Sequence, residues 1–417
     1  MDTAEVGRDA GSEAGPPPAK RQRLFFLDGL RALAALFVVA HHMYITVYPT
    51  FPRNTGPWYL GWLIYGHFGV AVFIVVSGFS LTLAVVNKGY EFRGFRRFIS
   101  RRAWRIIPPY WAALALSVLL TVTLVNLKVH DPVSLKGVVV NALLLQDVIS
   151  NKTPNGAFWS IAVEWQIYFL FPLFLLFRRR IGAAATAVGA AIGVWIVYIA
   201  ATQVSAVHGL LNLSPQFAAL FVFGIVAAGV VSRPADPDRR RVPWGWMSLG
   251  LTAVLLVGIN LAGTQRVTDD FYLVDIAVGV AVAFGLASLV RGGLARQALE
   301  TKPIVTTGTF SYSIYLIHAP IIFVVWLFLI KPLGLSGGQA FALYAAVGGV
   351  IVLASSYGFF LVCERPFLNR RASADRASRV AVEPLGWGPR PLRGAVAVAR
   401  AAWAGVPLRE ALEQTSL

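Results

Sequence analysis

Apolar runs recur along the chain with short polar linkers between them, at about residues 25–48, 67–86, 106–127, 158–177, 181–201, 215–231, 244–262, 271–290, 309–330 and 338–362. Most are long enough for a helix across a hydrocarbon layer of roughly 30 Å. The pattern predicts an all-α integral membrane protein of about ten transmembrane helices. The linkers then set its orientation. Alternate linkers collect the basic residues: Lys20, Arg21 and Arg23; Lys88, Arg93, Arg96, Arg97, Arg101, Arg102 and Arg105; Arg178 to Arg180; Arg233 and Arg239 to Arg241; Arg291, Arg296 and Lys302. The intervening linkers hold only Arg53, Lys128, Lys136, Lys152, Arg266 and Lys331. Lys and Arg accumulate on the cytoplasmic side of a membrane. Both termini are therefore predicted to be cytoplasmic, in a multi-pass protein of the plasma membrane.

Three segments follow from this reading. Residues 1–23 are charged and carry Pro16, Pro17 and Pro18, a composition that predicts a disordered cytoplasmic segment. Residues 24–368 form the ten-helix domain. The run after Arg23 has no small-residue cleavage site and reads as an uncleaved first span rather than a secretory signal. Residues 369–417 are a basic cytoplasmic tail, in which Arg393 to Glu413 reads either as an amphipathic helix on the inner leaflet or as solvated chain. The outer linker at about 128–157 is the longest, and its stretch from Val133 to Ile149 is apolar enough to lie along the interface or dip into the protein.

Composition narrows the class. With 57% hydrophobic and 14% charged residues, a soluble multidomain enzyme is excluded. A net charge of +17 would point a soluble protein toward nucleic acid, but here the charge sits in membrane linkers and no nucleic-acid partner is expected. Cys363 is the only cysteine, which excludes an internal disulfide and a cysteine metal cluster, and no metal site is expected. It falls at the cytoplasmic end of the last span, which argues against a covalent thiol mechanism.

Ionisable residues inside spans are rare, so each is a candidate for function. Arg31 and His42 are eleven residues apart in the first span, which returns to nearly the same helical face about 16 Å further along. The neighbouring His41 points roughly 80° away. Counted from Leu24, Arg31 lies about 10 Å and His42 about 27 Å along the helix, at the two ends of a polar path. The alternative is a snorkelling arginine with an interfacial histidine. His42 is the candidate general base. In the fourth span Ser160, Glu164 and Tyr168 fall at i, i+4 and i+8, one polar stripe. The functional reading pairs Glu164 with His42; the other makes it a structural or interfacial carboxylate. Arg101, Arg102 and Arg105 precede the third span and offer guanidinium forks to phosphate, although cytoplasmic basic clusters arise without any ligand. Ser311, Tyr312, Tyr315 and His318 open the ninth span on a broad shared face, as supporting or substrate-binding residues or as interfacial anchors.

Taken together, these fragments resemble the acyltransferase-3 family of integral membrane acyltransferases. The matching residues are Leu27-Asp28-Gly29-Leu30-Arg31 with His42, Gly69-Val70 with Ser77-Gly78-Phe79, and Arg101-Arg102 with Arg105-Ile106 and Pro108. Further matches are Trp159-Ser160 with Glu164, Tyr168 and Pro172, Ser311-Tyr312 with Tyr315-Leu316 and His318, and Glu364-Arg365-Pro366-Phe367. Two departures stand out: Trp165 replaces a second acidic residue beside Glu164, and His41 replaces a tyrosine or apolar residue. The resemblance implies transfer of an acyl group from acyl-CoA, a co-substrate rather than a tightly bound cofactor, to a hydroxyl acceptor. It implies His42 as base and Arg31 as its functional partner. The expectation is an O-acyltransferase acting on a sugar or a glycosylated small molecule such as a macrolide. The alternatives are O-acetylation of envelope or lipid-linked polysaccharide and, in a different class, a membrane transporter. A homodimer is compatible with this reading.

Overall fold

The computed structural model describes residues 24–92, 94–129, 133–149, 152–233 and 242–368. The expectations for the N-terminal segment, Arg93, Arg239 to Arg241 and the basic tail lie outside those residues. The described chain is helical, with no strand among the described residues. Its helices are α1 (Phe25–Val47), α2 (His67–Thr82), α3 (Phe95–Thr123), α4 (Leu135–Ala142), α5 (Trp159–Arg180), α6 (Gly182–Gln203) and α7 (Gln216–Val231). They continue with α8 (Trp244–Asp269), α9 (Phe271–Leu289), α10 (Leu294–Leu299), α11 (Lys302–Thr309), α12 (Ser311–Val325), α13 (Gly337–Leu343) and α14 (Gly349–Phe359).

Among the described residues, eight helical stretches are long and apolar enough to cross a membrane, or up to ten when two bent pairs each count as one span. In one pair Trp58–Tyr65 meets α2 at 42°, and in the other Ser205–Leu213 meets α7 at 45°. The second predicted span therefore needs the outer 3₁₀ segment to complete it, because α2 alone has 16 residues. At 1.5 Å per residue, that is about 24 Å, short of the hydrocarbon thickness.

The bundle centre is built on α2 and α7, which pack tightly against each other, with α1, α9 and α12 around them. Glycine makes this approach possible. A Cβ on Gly78 would run into the carbonyl of Phe221, and one on Gly224 into the carbonyl of Val75. Without lipid-driven hydrophobic gain between helices, such small-residue contacts are the main way two membrane helices interlock. α7 is buried over most of its surface, whereas α6 and α8 expose Val188, Ile196, Leu249, Val254 and Leu261. In a membrane protein those apolar flanks face lipid.

The segment around α4 rests on the bundle by one face, burying Val140 and Asn141, while Leu135, Val139, Leu143 and Val148 stay exposed. α4 is capped by Ser134, whose hydroxyl accepts from the Gly137 N–H at 2.9 Å. Beyond it, Asn155 donates to the Leu316 carbonyl at 3.0 Å and so pins the segment onto α12.

Candidate active site

α1 and α12 cross so that two imidazoles meet. His42 Nδ1 lies 2.9 Å from the Val38 carbonyl, one turn back on its own helix, and 3.3 Å from His318 Nε2. His318 Nδ1 lies 2.8 Å from the Tyr315 carbonyl and 3.1 Å from that of Ile314. Carbonyls only accept, so both Nδ1 atoms carry protons in neutral rings. His318 Nε2 is then an acceptor for the His42 Nδ1–H, and His42 Nε2 keeps a free lone pair. That atom makes no hydrogen bond among the described residues. It is the one positioned to take a proton.

His41 is not interchangeable with its neighbour. Its Nδ1 donates to the Leu63 carbonyl at 2.9 Å, and its ring packs against the 3₁₀ segment rather than α12. Tyr315 lies beside the pair, its ring centroid 5.7 Å from that of His318, and its hydroxyl meets Ser160 Oγ at 2.6 Å.

A second polar layer gathers α1, α2, α3 and α5. Arg31 forks between Asp28 Oδ1 at 3.2 Å and Ser80 Oγ at 3.0 Å. Tyr168 donates to Glu164 Oε1 at 2.5 Å and stands 3.0 Å from Ser77 Oγ. The Arg102 guanidinium lies 5.9 Å from the centroids of both Phe98 and Tyr168. Arg31, Arg102 and Arg105 act electrostatically on one another and on Glu164. Glu364 also acts on Arg105, so the three guanidiniums face the three carboxylates of Asp28, Glu164 and Glu364. The Nε atoms of Arg101 and Arg102 are buried without an acceptor. Buried donors of this kind call for an anion.

One expectation needs correction. Glu164 does not pair with His42. Eight residues of helix separate Ser160 from Tyr168, about 12 Å, so the polar stripe serves two layers: Ser160 meets Tyr315 in the histidine layer, while Glu164 and Tyr168 bond each other in the arginine layer. The remaining candidates have local tasks. The Ser311 hydroxyl is committed to the Gly308 carbonyl at 2.9 Å, and Tyr312 donates to the Ile106 carbonyl at 3.0 Å, tying α12 to α3 just beyond Arg105.

The sequence reading missed a further buried pair. His67 Nε2 is 2.8 Å from Asp275 Oδ2, which also accepts from Gln216 at 3.2 Å, and Phe271 stacks on the His67 ring at 4.3 Å. This cluster joins α2, α7 and α9. A charged residue in the middle of an apolar run was the available signal for Asp275, but its partner lies 208 residues away.

Eight to ten candidate spans among the described residues, holding a buried histidine pair and a cluster of arginines, define a multi-pass membrane protein. The acyltransferase domain model matches residues 24–361, and the chain belongs to the acyltransferase-3 family. It is similar to the O-acetyltransferase OatA of Staphylococcus aureus strain NCTC 8325, at 26% identity over 322 residues, covering 71% of this chain and 50% of that protein. The peptidoglycan O-acetyltransferase OatA of Listeria monocytogenes is 26% identical over 348 residues, covering 71% of this chain and 49% of its own. The chain thus spans about half the length of these relatives. Acyltransferase MdmB of Streptomyces mycarofaciens is 26% identical over 326 residues, covering 73% of this chain and 80% of that protein. No solved structure matches.

Proposed function

We propose that this protein is an acyl-CoA-dependent membrane O-acyltransferase whose acceptor is a hydroxyl of a sugar or a glycosylated small molecule. The free His42 Nε2, fixed by Val38 and His318, carries the reading. It removes the acceptor hydroxyl proton as the oxygen attacks the thioester carbonyl. The tetrahedral intermediate then collapses, the C–S bond breaks, and the thiolate takes the proton from the imidazolium. No covalent enzyme intermediate is needed. The Tyr315 and Ser160 hydroxyls, which meet beside His318, serve as donors for the transient oxyanion.

The arginine layer suits the donor. The unpartnered Nε–H groups of Arg101 and Arg102 match the phosphates of a coenzyme A thioester. The Lys and Arg distribution supports a reading in which that layer faces the cytoplasm of a plasma membrane. The similarity to the acyltransferase MdmB over most of both chains supports acyl transfer. The similarity to OatA proteins supports a second reading, O-acetylation of envelope polysaccharide.

The test is release of free coenzyme A thiol from acetyl-CoA and longer acyl-CoAs, with mass spectrometry of products from sugars, glycosylated macrolides and lipid-linked glycans. Acceptor-dependent thiol release with an ester product is expected. Transport of any of these compounds without thiol release would replace the enzyme with a transporter.

A further inference from the structure

The N-terminal end of α8 and the C-terminal end of α9 border a cavity of about 310 Å³. Val242, Trp244, Trp246, Leu249, Ser288 and Arg291 line it, and none of these residues belongs to the histidine pair or the arginine layer. The two helices are clamped beside it. Ser248 donates to the Ala281 carbonyl at 2.9 Å, and the Trp244 and Phe284 ring centroids lie 5.5 Å apart. Gly245 lets α8 come this close, since a Cβ there would stand 2.9 Å from Ser288 Oγ. Packed helices therefore set the shape of the cavity.

Its lining changes character along the helix axis. Arg291 follows the last turn of α9 and donates to the Val242 carbonyl at 2.8 Å, which holds the guanidinium at the cavity. No carboxylate pairs with Arg291 among the described residues. A guanidinium carries five N–H donors, so most of them stay available. Deeper along α8 the lining turns apolar, with Leu249 about 7.5 Å beyond Trp244. Trp246, Leu249 and Leu256 share one face of α8, and all three are exposed, Trp246 by 77%. Of the eight straight spans, α8 is the least buried. An apolar track thus leaves the cavity along the membrane-facing side of α8.

A soluble anion would use only the charged end. An amphipathic anion uses both, with its headgroup against Arg291 and Ser288 and its acyl chain along Trp246, Leu249 and Leu256. Basic pockets between membrane helices take anionic lipid headgroups in this way. The bias that places arginines at the ends of spans accounts for a charge at position 291, but it makes no cavity and needs no apolar track.

The geometry points to a binding site for an anionic phospholipid between α8 and α9. The inference needs the membrane setting and not the acyl-transfer reading, so the two are tested apart: one by lipid retention, the other by thiol release.

The experiment offers the full chain, purified in detergent, equimolar phosphatidylglycerol and phosphatidylcholine of matched acyl chains, and counts the lipids retained by native mass spectrometry. Phosphatidylglycerol should be retained about fivefold over phosphatidylcholine, the weight of one arginine near an anionic headgroup. Arg291→Gln should bring that ratio close to one. Trp246 is largely exposed, so Trp246→Ala should melt with the parent protein while retaining less of both lipids. Arg266→Gln, at the opposite end of α8, should leave the ratio unchanged. Equal retention of the two lipids by the parent, a preference that survives Arg291→Gln, or retention unaltered by Trp246→Ala would overturn the site. An equal loss in Arg266→Gln would show a general effect of charge and overturn it as well. Displacement of phosphatidylglycerol by millimolar inorganic phosphate would make this a soluble-anion site and overturn the lipid assignment.

Discussion

His318 Nε2 stands 3.3 Å from His42 Nδ1, and the two imidazoles share one proton position between them. On the proposed reading His318 is a positioning residue for the base. It holds the His42 ring in the tautomer that leaves Nε2 bare, as a carboxylate does in other histidine-based sites. His42→Ala should lower kcat by about 10²–10⁴, the usual range for positioned proton transfer. His318→Gln should cut kcat less, with donor KM unchanged and the acidic limb of the pH–rate profile shifted. Thiol-release kinetics check both. An unaltered pH profile in His318→Gln would make the contact merely packing.

His41→Ala separates the neighbours. Because His41 is committed to the Leu63 carbonyl, its loss should lower the melting temperature and leave turnover of the folded protein within about threefold, since no transition-state contact is removed. Loss of turnover in His41→Ala with retention in His42→Ala would reassign the base.

Arg31→Lys tests the fork between α1 and α2. An ammonium is a point charge and cannot reach Asp28 and Ser80 in the same planar geometry. The variant should be less stable by about 1–3 kcal/mol, as expected when a charged buried hydrogen bond is lost. Thermal melting in detergent is the readout, and an unchanged melt would show the fork to be incidental.

Donor binding is read through Arg102→Gln and Tyr168→Phe. The first should raise donor KM and weaken its dependence on ionic strength, because a charge-assisted contact is removed. The second removes the hydroxyl that engages Glu164 and should raise donor KM by a smaller factor. In sealed vesicles of known orientation, acyl-CoA supplied at the cytoplasmic face should support turnover, and supply at the opposite face should not. Activity from the opposite face alone would reverse the sidedness of the arginine layer.

Gly224→Val should disrupt the α2–α7 contact, where the new side chain meets the Val75 carbonyl, whereas Gly250→Val on α8 meets open space. Overpacking a tight contact costs about 1–3 kcal/mol. The first variant should fold poorly and the second should melt near the parent. Similar melts for both would remove the packing argument.

Much of the architecture was legible because spans announce themselves by length and hydropathy, and the structure supports all ten expected positions once the bent pairs are joined. The bend before α2 was not legible, since Trp58–Tyr65 is as apolar as the helix it precedes. Periodicity placed Ser160, Glu164 and Tyr168 on one face correctly but could not say what each face meets. Glu164 went to Tyr168, four residues away, and His42 went to His318, 276 residues away. Local spacing reports the first kind of pair and is silent on the second. The same silence hid His67 and Asp275.

The His42 ring is tethered to the Val38 carbonyl of its own helix rather than to any loop. On the proposed reading, the reactive nitrogen is therefore aimed by a rigid rod, while the segment before α5 is a separate piece of chain bonded to α12 through Asn155. Insertions or exchanges in that segment should therefore leave the aim of the nitrogen unchanged.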